Sequence, residues 1–222
     1  MTALRISTVR VGGMFITDNE HKERLFQVFL PKQTDSKQLV KREDMFLQKL
    51  KDIKAFVLDI DGVLTDGTVH VTETGEQLRR FHVRDGYAMQ RAVRNGYLIC
   101  VISGGKSASV LGRLNGLGIT DIYLGVDKKI DVYQNFLKQR RLSPEEVMYM
   151  GDDIPDIPPM NACGLPVCPS DAVEEVKAVS AYISPKAGGT GCVRDVIEKV
   201  LKIQKKWFDS EPSAQDDTIT SA

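Results

Sequence analysis

Net charge is missing from this sequence: 30 Lys and Arg balance 30 Asp and Glu over 222 residues. Without a basic excess there is no bulk attraction for nucleic acid or for an anionic membrane surface. Cysteine is scarce as well. The four present (Cys100, Cys163, Cys168 and Cys192) show no CxxC or zinc-finger spacing, which argues for reduced thiols in a cytoplasmic protein. No apolar run approaches the roughly 20 residues that cross a bilayer, and the start lacks the apolar core, about 7–15 residues long, of a secretory signal. A soluble intracellular chain is expected. Its length allows one sizeable core, or one domain with an appendage.

What the sequence does hold is concentrated in Lys54 to Gly67, KAFVLDIDGVLTDG. Ala55–Asp59 reads as a buried strand that ends on an acid. A second acid comes next at Asp61, and Gly62 permits a sharp turn. Two carboxylates at the carboxyl end of an apolar strand are costly unless a cation or a proton transfer uses them. A solvated acidic loop seldom follows so apolar a strand. A calcium loop of the EF-hand kind fails too, because its third oxygen ligand, glycine and glutamate fall on Val63, Leu64 and His70.

Residues 1–44 do not resemble the rest of the chain. LRISTVRVGGMFIT suggests a weak hairpin around Gly12-Gly13, HKERLFQVFL a short helix or strand, and PKQTDSKQLVKRED a polar linker. The segment reads as a loosely attached extension or the product of an upstream start site. Truncation to Met45 is expected to leave activity intact.

Beyond Asp52 the pattern is regular. TVHV and QLRRFHV flank a Glu73-Thr74-Gly75-Glu76 turn, the signal of a β-hairpin. Asp85 is expected to cap a helix running to about Asn95, which Gly96 ends. Further strands are expected at Tyr97–Ile102, Asp121–Leu124, Val147–Met150, Leu165–Cys168 and Ala181–Ile183. Helices fall at about 107–115, 128–140 and 172–178, and a closing helix aligns Val193, Val196, Ile197, Val200 and Leu201. The domain is read as 45–208 and the polar residues 209–222 as a disordered tail.

Strands alternating with helices predict a Rossmann-like, three-layer α/β sandwich with a mostly parallel sheet. Ligands gather at the carboxyl ends of such strands. The candidates sit there: Asp59 and Asp61 after one strand, Ser103 after another, Asp152 and Asp153 after a third. Lys128 and Lys129 open a helix beside them. Carboxylates meeting a lysine and a hydroxyl suggest Mg²⁺ and phosphate. One acid can attack phosphorus to give an aspartyl-phosphate while the other moves the proton.

Asp59-Ile-Asp61-Gly62-Val63, Ser103-Gly104, Lys129 and Gly151-Asp152-Asp153-x-x-Asp156, in this order, resemble the four motifs of the haloacid-dehalogenase-like phosphohydrolases. The resemblance implies Asp59 as nucleophile and Asp61 as general acid/base, with Ser103, Gly104 and Lys129 holding the phosphoryl group. It implies Mg²⁺ bound by the side chains of Asp59 and Asp152 and by the main-chain carbonyl of Asp61. Lys128 is the rival lysine; the family's spacing from the Gly125 turn favours Lys129. Asp153 and Asp156 stay open between ordering the metal's waters and, for Asp153, capping the next helix. Only 44 positions separate Asp59 from Ser103 and 26 separate Ser103 from Lys129. Neither gap holds a cap domain, so the resemblance is to the capless members, with a hairpin flap after the first strand. A capless site takes a large substrate or is closed by a neighbouring subunit.

Within that family DIDGVLTDG, FHVRDGYAMQ, GDDIPDIPPM and KAGGTGCVRDV are similar to the 3-deoxy-D-manno-octulosonate 8-phosphate phosphatases, over about residues 53–201. This implies a sugar-acid phosphate on the route to lipopolysaccharide, a homotetramer whose hairpins pack together, and active sites near subunit interfaces. Arg84, Gly188 and Gly189 would lie near the sugar acid. The sequence departs at Gly105-Lys106, where family members often carry arginine. Lys106 then stands as the carboxylate-binding cation, without arginine's fork. That departure leaves a 2-keto-3-deoxynononate or N-acylneuraminate 9-phosphate phosphatase as the alternative. A non-catalytic oligomeric scaffold is the alternative of another class, against which the intact acids count. His82 reads as a strand histidine or a substrate contact, and Gly188-Gly189 as a turn or a closing loop. Arg79-Arg80 reads as a solvated strand face or subunit contact rather than a phosphate clamp.

Overall fold

The computed structural model describes Arg10–Val11, Met14–Phe15 and residues 46–208. The chain divides into two units, Met1–Val40 and Lys41–Ala222. In the first, β1 (Arg10–Val11) and β2 (Met14–Phe15) pair antiparallel, with Val11 opposite Met14, as expected of a hairpin around Gly12-Gly13. The readings of 21–30, 31–44 and 209–222 fall outside the described residues.

The second unit is organised by β3 (Ala55–Leu58), all four of whose residues are buried. After it come the hairpin strands β4 (His70–Val71) and β5 (Gln77–Leu78), then β6 (Leu98–Ser103) and β7 (Asp121–Leu124). The last strands are β8 (Val147–Met150), β9 (Leu165–Cys168) and β10 (Tyr182–Ile183). Six of these form one sheet in the order β10-β9-β8-β3-β6-β7, every pairing parallel. Leu58 is in register with Val101 and Met150, so the three central strands deliver the residues after them to one rim.

Side chains alternate across β3. Phe56 and Leu58 face a core shared with α1 (Val83–Arg94), α2 (Ala108–Asn115) and α6 (Cys192–Ile203). Ala55 and Val57 face the other, under α3 (Lys129–Arg140), α4 (Ile157–Ala162) and α5 (Glu174–Val179). A strand covered on both faces reads as an unbroken apolar run, and each large side chain buried this way contributes about 1.5–3 kcal/mol. Helix α6 buries Val193, Val196, Ile197, Val200 and Leu201, the expected stripe. No helix among the described residues is long and apolar enough to cross a membrane.

Two local expectations need correction. Helix α1 begins at Val83 with His82 at the cap position, so Asp85 does not cap it. Asp85 is buried inside the first turn and accepts a hydrogen bond from Arg194 N at 2.6 Å. The free N–H groups that open α6 need an acceptor, and Asp85 supplies it across the helix pair. Burial raises the pKa of its carboxyl, against the pull of that amide. The flap hairpin is also shorter than expected. Thr72 N donates to Glu76 O at 2.9 Å to close the turn, and pairing ends at Leu78, where Arg79 turns inward.

Candidate active site

Asp59 leaves β3 with its N–H donating to Met150 O at 3.1 Å, and the chain then makes one wide turn closed by Thr65 N to Ile60 O at 3.0 Å. The turn buries Ile60, Val63 and Leu64, which leaves the carboxylates of Asp59 and Asp61 on the polar rim. Gly62 sits at φ +90°, and a methyl group there would lie 2.0 Å from Asp152 Oδ2. Backbone conformation and the approach of Asp152 both require glycine.

Asp59, Asp152 and Asp156 bring carboxylate oxygens within 4.8 Å of one another. Lys129 Nζ stands 2.9 Å from Asp59 Oδ2 and 2.8 Å from Asp156 Oδ1. Asp156 is saturated with donors: Oδ1 also accepts from Tyr149 OH at 2.8 Å, and Oδ2 from the N–H groups of Asp152 and Asp153 at 3.2 and 3.4 Å. Asp59 Oδ1 and Asp152 Oδ1, by contrast, are buried without a hydrogen-bond partner. Hard anionic oxygens left in this way suit a divalent cation. Asp59 and Asp152 therefore fit a metal, while Asp156 has no lone pair to spare and braces Lys129 and the 152–153 main chain. Asp153 Oδ1 accepts from Ile154 N at 2.8 Å, which is the helix-cap geometry.

The crowding alters protonation. Burial, and next the charge of Asp156, raises the pKa of Asp59 from 3.8 to about 7, with Lys129 opposing. Burial, then Asp59 and Asp156, raises Asp152 likewise to about 7. Burial pulls Lys129 down, yet the charges of Asp59 and Asp156 outweigh it and its pKa is raised. A cation seated between Asp59 and Asp152 favours both carboxylates in the charged form.

Ser103 ends β6, buried, with its Oγ accepting from Gly105 N at 3.1 Å. Lys129 is buried at the start of α3, whereas Lys128 is exposed one residue earlier. Lys106 lies over Gly125 and, with Gly104, Ser107 and hairpin residues Glu76 to Leu78, lines a cleft of about 570 Å³. Arg84 lines a second cleft, about 410 Å³, with His82, Lys186, Thr190 and Arg194. The lining of neither cleft includes Asp59, Lys129 or Asp152. Gly188 and Gly189 pack on the loop after Asp59: a methyl at Gly188 would meet Gly62 O at 2.0 Å, and Gly189 N donates to Val63 O at 3.0 Å. Asp59, Asp61, Ser103, Lys129 and Asp152 thus share one rim, and Arg84 stands apart.

Arg79 is the residue that sequence reasoning missed. Its side chain is only 6% exposed and grips Asp61 with a fork, Nε to Oδ1 at 2.6 Å and Nη2 to Oδ2 at 3.0 Å. Arg80 points out and pairs with Asp66. Both residues of β5 are exposed and Arg79 follows the end of the strand, so alternation gives no signal that it turns inward.

A family model for haloacid dehalogenase-like hydrolases matches residues 115–197. The 3-deoxy-D-manno-octulosonate 8-phosphate phosphatase of Escherichia coli (strain K12) is 37% identical over 160 residues, 72% of this chain and 85% of that one. The chain belongs to this family. Among solved 3-deoxy-D-manno-octulosonate 8-phosphate phosphatases, the Yersinia pestis structure matches with a TM-score of 0.73 at 34% identity, covering 74% of this chain and 89% of its own. The Moraxella catarrhalis enzyme, solved with a magnesium ion, a phosphate ion and KDO, matches with a TM-score of 0.72 at 35% identity, covering 74% and 94%. As a member of the 3-deoxy-D-manno-octulosonate 8-phosphate phosphatase family, the chain is a phosphoric monoester hydrolase on the expected parallel α/β sheet.

Proposed function

We propose that the protein hydrolyses 3-deoxy-D-manno-octulosonate 8-phosphate to 3-deoxy-D-manno-octulosonate and phosphate, with Mg²⁺, in the cytoplasm on the route to lipopolysaccharide. The observation that carries this reading is the pair of buried, unpartnered oxygens on Asp59 and Asp152 beside Lys129. Asp59, Asp152 and the main-chain carbonyl of Asp61 would hold the ion, which when bound offsets the negative charge of the transferring phosphoryl group.

The chain's own residues divide the work. Asp59 supplies the attacking oxygen, and Lys129 orients it through Oδ2 while keeping an ammonium against the phosphoryl oxygens. Ser103 Oγ accepts from Gly105 N, so its hydroxyl proton is left to donate to a phosphoryl oxygen, beside the Gly104 main chain. As the bond from Asp59 oxygen to phosphorus forms, the ester P–O bond breaks and the leaving oxygen takes a proton from Asp61. Water then attacks the phosphorus of the aspartyl-phosphate and returns a proton to Asp61, which releases phosphate and restores Asp59. Lys106, lining the cleft beside the flap, is assigned to the substrate's carboxylate. Residues 45–208 are assigned the catalytic domain, so a chain beginning at Met45 retains activity.

Val69, Val71 and Leu78 are exposed apolar residues on or beside the hairpin strands, and burying them between subunits supports a homotetramer with active sites near its interfaces. A fully active monomer by solution mass would undo that assignment. The decisive assay measures phosphate release from the eight-carbon acid 8-phosphate and from the nine-carbon acid 9-phosphates, with Mg²⁺ or with chelator. The expected result is a higher kcat/KM on the eight-carbon ester, dependence on Mg²⁺ and loss of activity in Asp59→Asn. Preference for a nine-carbon ester would transfer the substrate assignment to that class, and no release from any ester would leave a scaffold.

A further inference from the structure

The fork between Arg79 and Asp61 poses a chemical problem for the reaction just described, on which this inference rests. A guanidinium only donates hydrogen bonds, so both Asp61 oxygens act as acceptors toward Nε and Nη2. Each oxygen keeps a second lone pair, but the two contacts together lock the carboxyl plane onto the guanidinium. Opening one arm lets an Asp61 oxygen turn toward a leaving group.

The surroundings say which arm. Arg79 Nη1 is buried with no partner, a charged donor whose desolvation is uncompensated. A methyl group placed on Gly105 would sit 3.2 Å from Arg79 Nη2, 3.3 Å from Asp61 Oδ2 and 3.5 Å from Ser103 Oγ. The outer arm of the fork, the outer Asp61 oxygen and the serine hydroxyl therefore converge on one small space, which Ile60, Asp61, Arg79, Ser103, Gly105 and Ser107 help to line. The inner contact, Nε to Oδ1, is the shorter of the two. Gly105 keeps the space open for the guanidinium.

We infer that Arg79 is a positioning residue that couples phosphoryl binding to the release of one Asp61 oxygen. When a phosphate monoester dianion binds against Ser103, the two terminal nitrogens of Arg79 turn to a phosphoryl oxygen and Oδ2 of Asp61 comes free. Nε keeps Oδ1, so the carboxyl stays aimed at the leaving oxygen, to which Oδ2 delivers the proton. With no phosphoryl group present, the fork closes and Asp61 is held idle. The hairpin brings the only cation among the described residues that touches Asp61, which makes the flap part of the acid's control.

The test exploits leaving-group chemistry in the full-length protein with Mg²⁺. A p-nitrophenolate departs without a proton, whereas a sugar alkoxide needs one. Arg79→Gln is expected to lower kcat on the sugar-acid phosphate about 100-fold and on p-nitrophenyl phosphate by less than about tenfold, the gap being the general-acid contribution. Arg79→Lys restores KM on both esters, because a point charge suffices for the phosphoryl group, but not kcat on the sugar ester, because it has no fork. Gly105→Ala, which leaves Arg79 in place and crowds Nη2, reproduces the same selective loss and serves if the arginine variants fold poorly. Equal losses on the two esters, or no loss on either, overturn the coupling while leaving the phosphatase reading intact. A wild-type protein that releases phosphate from neither ester sinks the phosphatase reading, and the coupling with it.

Discussion

Replacing Asp156 by asparagine separates a brace from a metal ligand. The carboxylate takes four donors: Lys129 Nζ and Tyr149 OH on Oδ1, and the N–H groups of Asp152 and Asp153 on Oδ2. Asparagine keeps one acceptor oxygen and turns an NH₂ toward the other two donors, so two buried donors lose their partner and face a third. Breaking one side of a buried, charge-assisted network costs about 3–5 kcal/mol. One gain opposes this, because Asp156 also pushes Asp59 and Asp152 toward the neutral form, and its loss relieves that repulsion. A net destabilisation of about 3 kcal/mol results, or about 6–12 °C in Tm for a domain of this size. The assay is thermal unfolding by circular dichroism in chelator, repeated as a Mg²⁺ titration. Since Asp59 and Asp152 keep their free oxygens, the apparent Mg²⁺ affinity should fall less than about tenfold. A variant that melts within about 2 °C of wild type, or that loses Mg²⁺ binding as fully as Asp152→Asn, would refute the reasoning.

Three other outcomes rest on the same geometry. Mg²⁺ at about 100 times its Kd should stabilise the wild type by about 2.7 kcal/mol, seen as a rise in Tm that Asp152→Asn abolishes. In chelator, stability should fall as pH rises from about 4 to about 7, because Asp59 and Asp152, raised to about 7, hold protons in the folded chain that the unfolded chain has released. Urea midpoints across that range check the sign, and saturating Mg²⁺ should flatten or reverse the slope; a metal-free protein that gains stability over the window contradicts the assignment. Gly62→Ala forces a methyl to within 2.0 Å of Asp152 Oδ2 at a positive φ, and phosphate release should drop at least about 100-fold, an outcome that near-normal turnover would exclude.

The sheet and its rim were legible because their signals are local. Each core strand is a short apolar run that stops at an acid, a serine or a glycine, and parallel topology carries such ends to one side. What stayed hidden depends on partners far along the chain. Asp85 has the sequence context of a helix cap, yet the helix whose Arg194 N–H it accepts begins more than a hundred residues later, at Cys192. Asp156 stood open as a residue that orders the metal's waters until its four donors were located. Arg79 was read as strand surface because the hairpin's pairing covers only two residues per strand, too few for periodicity to declare a face. Arg84, placed near the substrate by likeness alone, lines a cleft apart from the acids in the single chain.

The strand order also has a consequence for synthesis. β3 emerges early but lies between β6 and β8, so a growing chain carries the Asp59 strand with one bare edge until residue 150 or so has left the ribosome. An unpaired, wholly apolar central strand is a hazard for association with other chains. The same order means that Asp59 meets Asp152 and Asp156 only when that edge is covered. Covering the second edge of β3 and assembling the charged cluster are one event, and a ribosome stalled before Val147 holds a chain with neither.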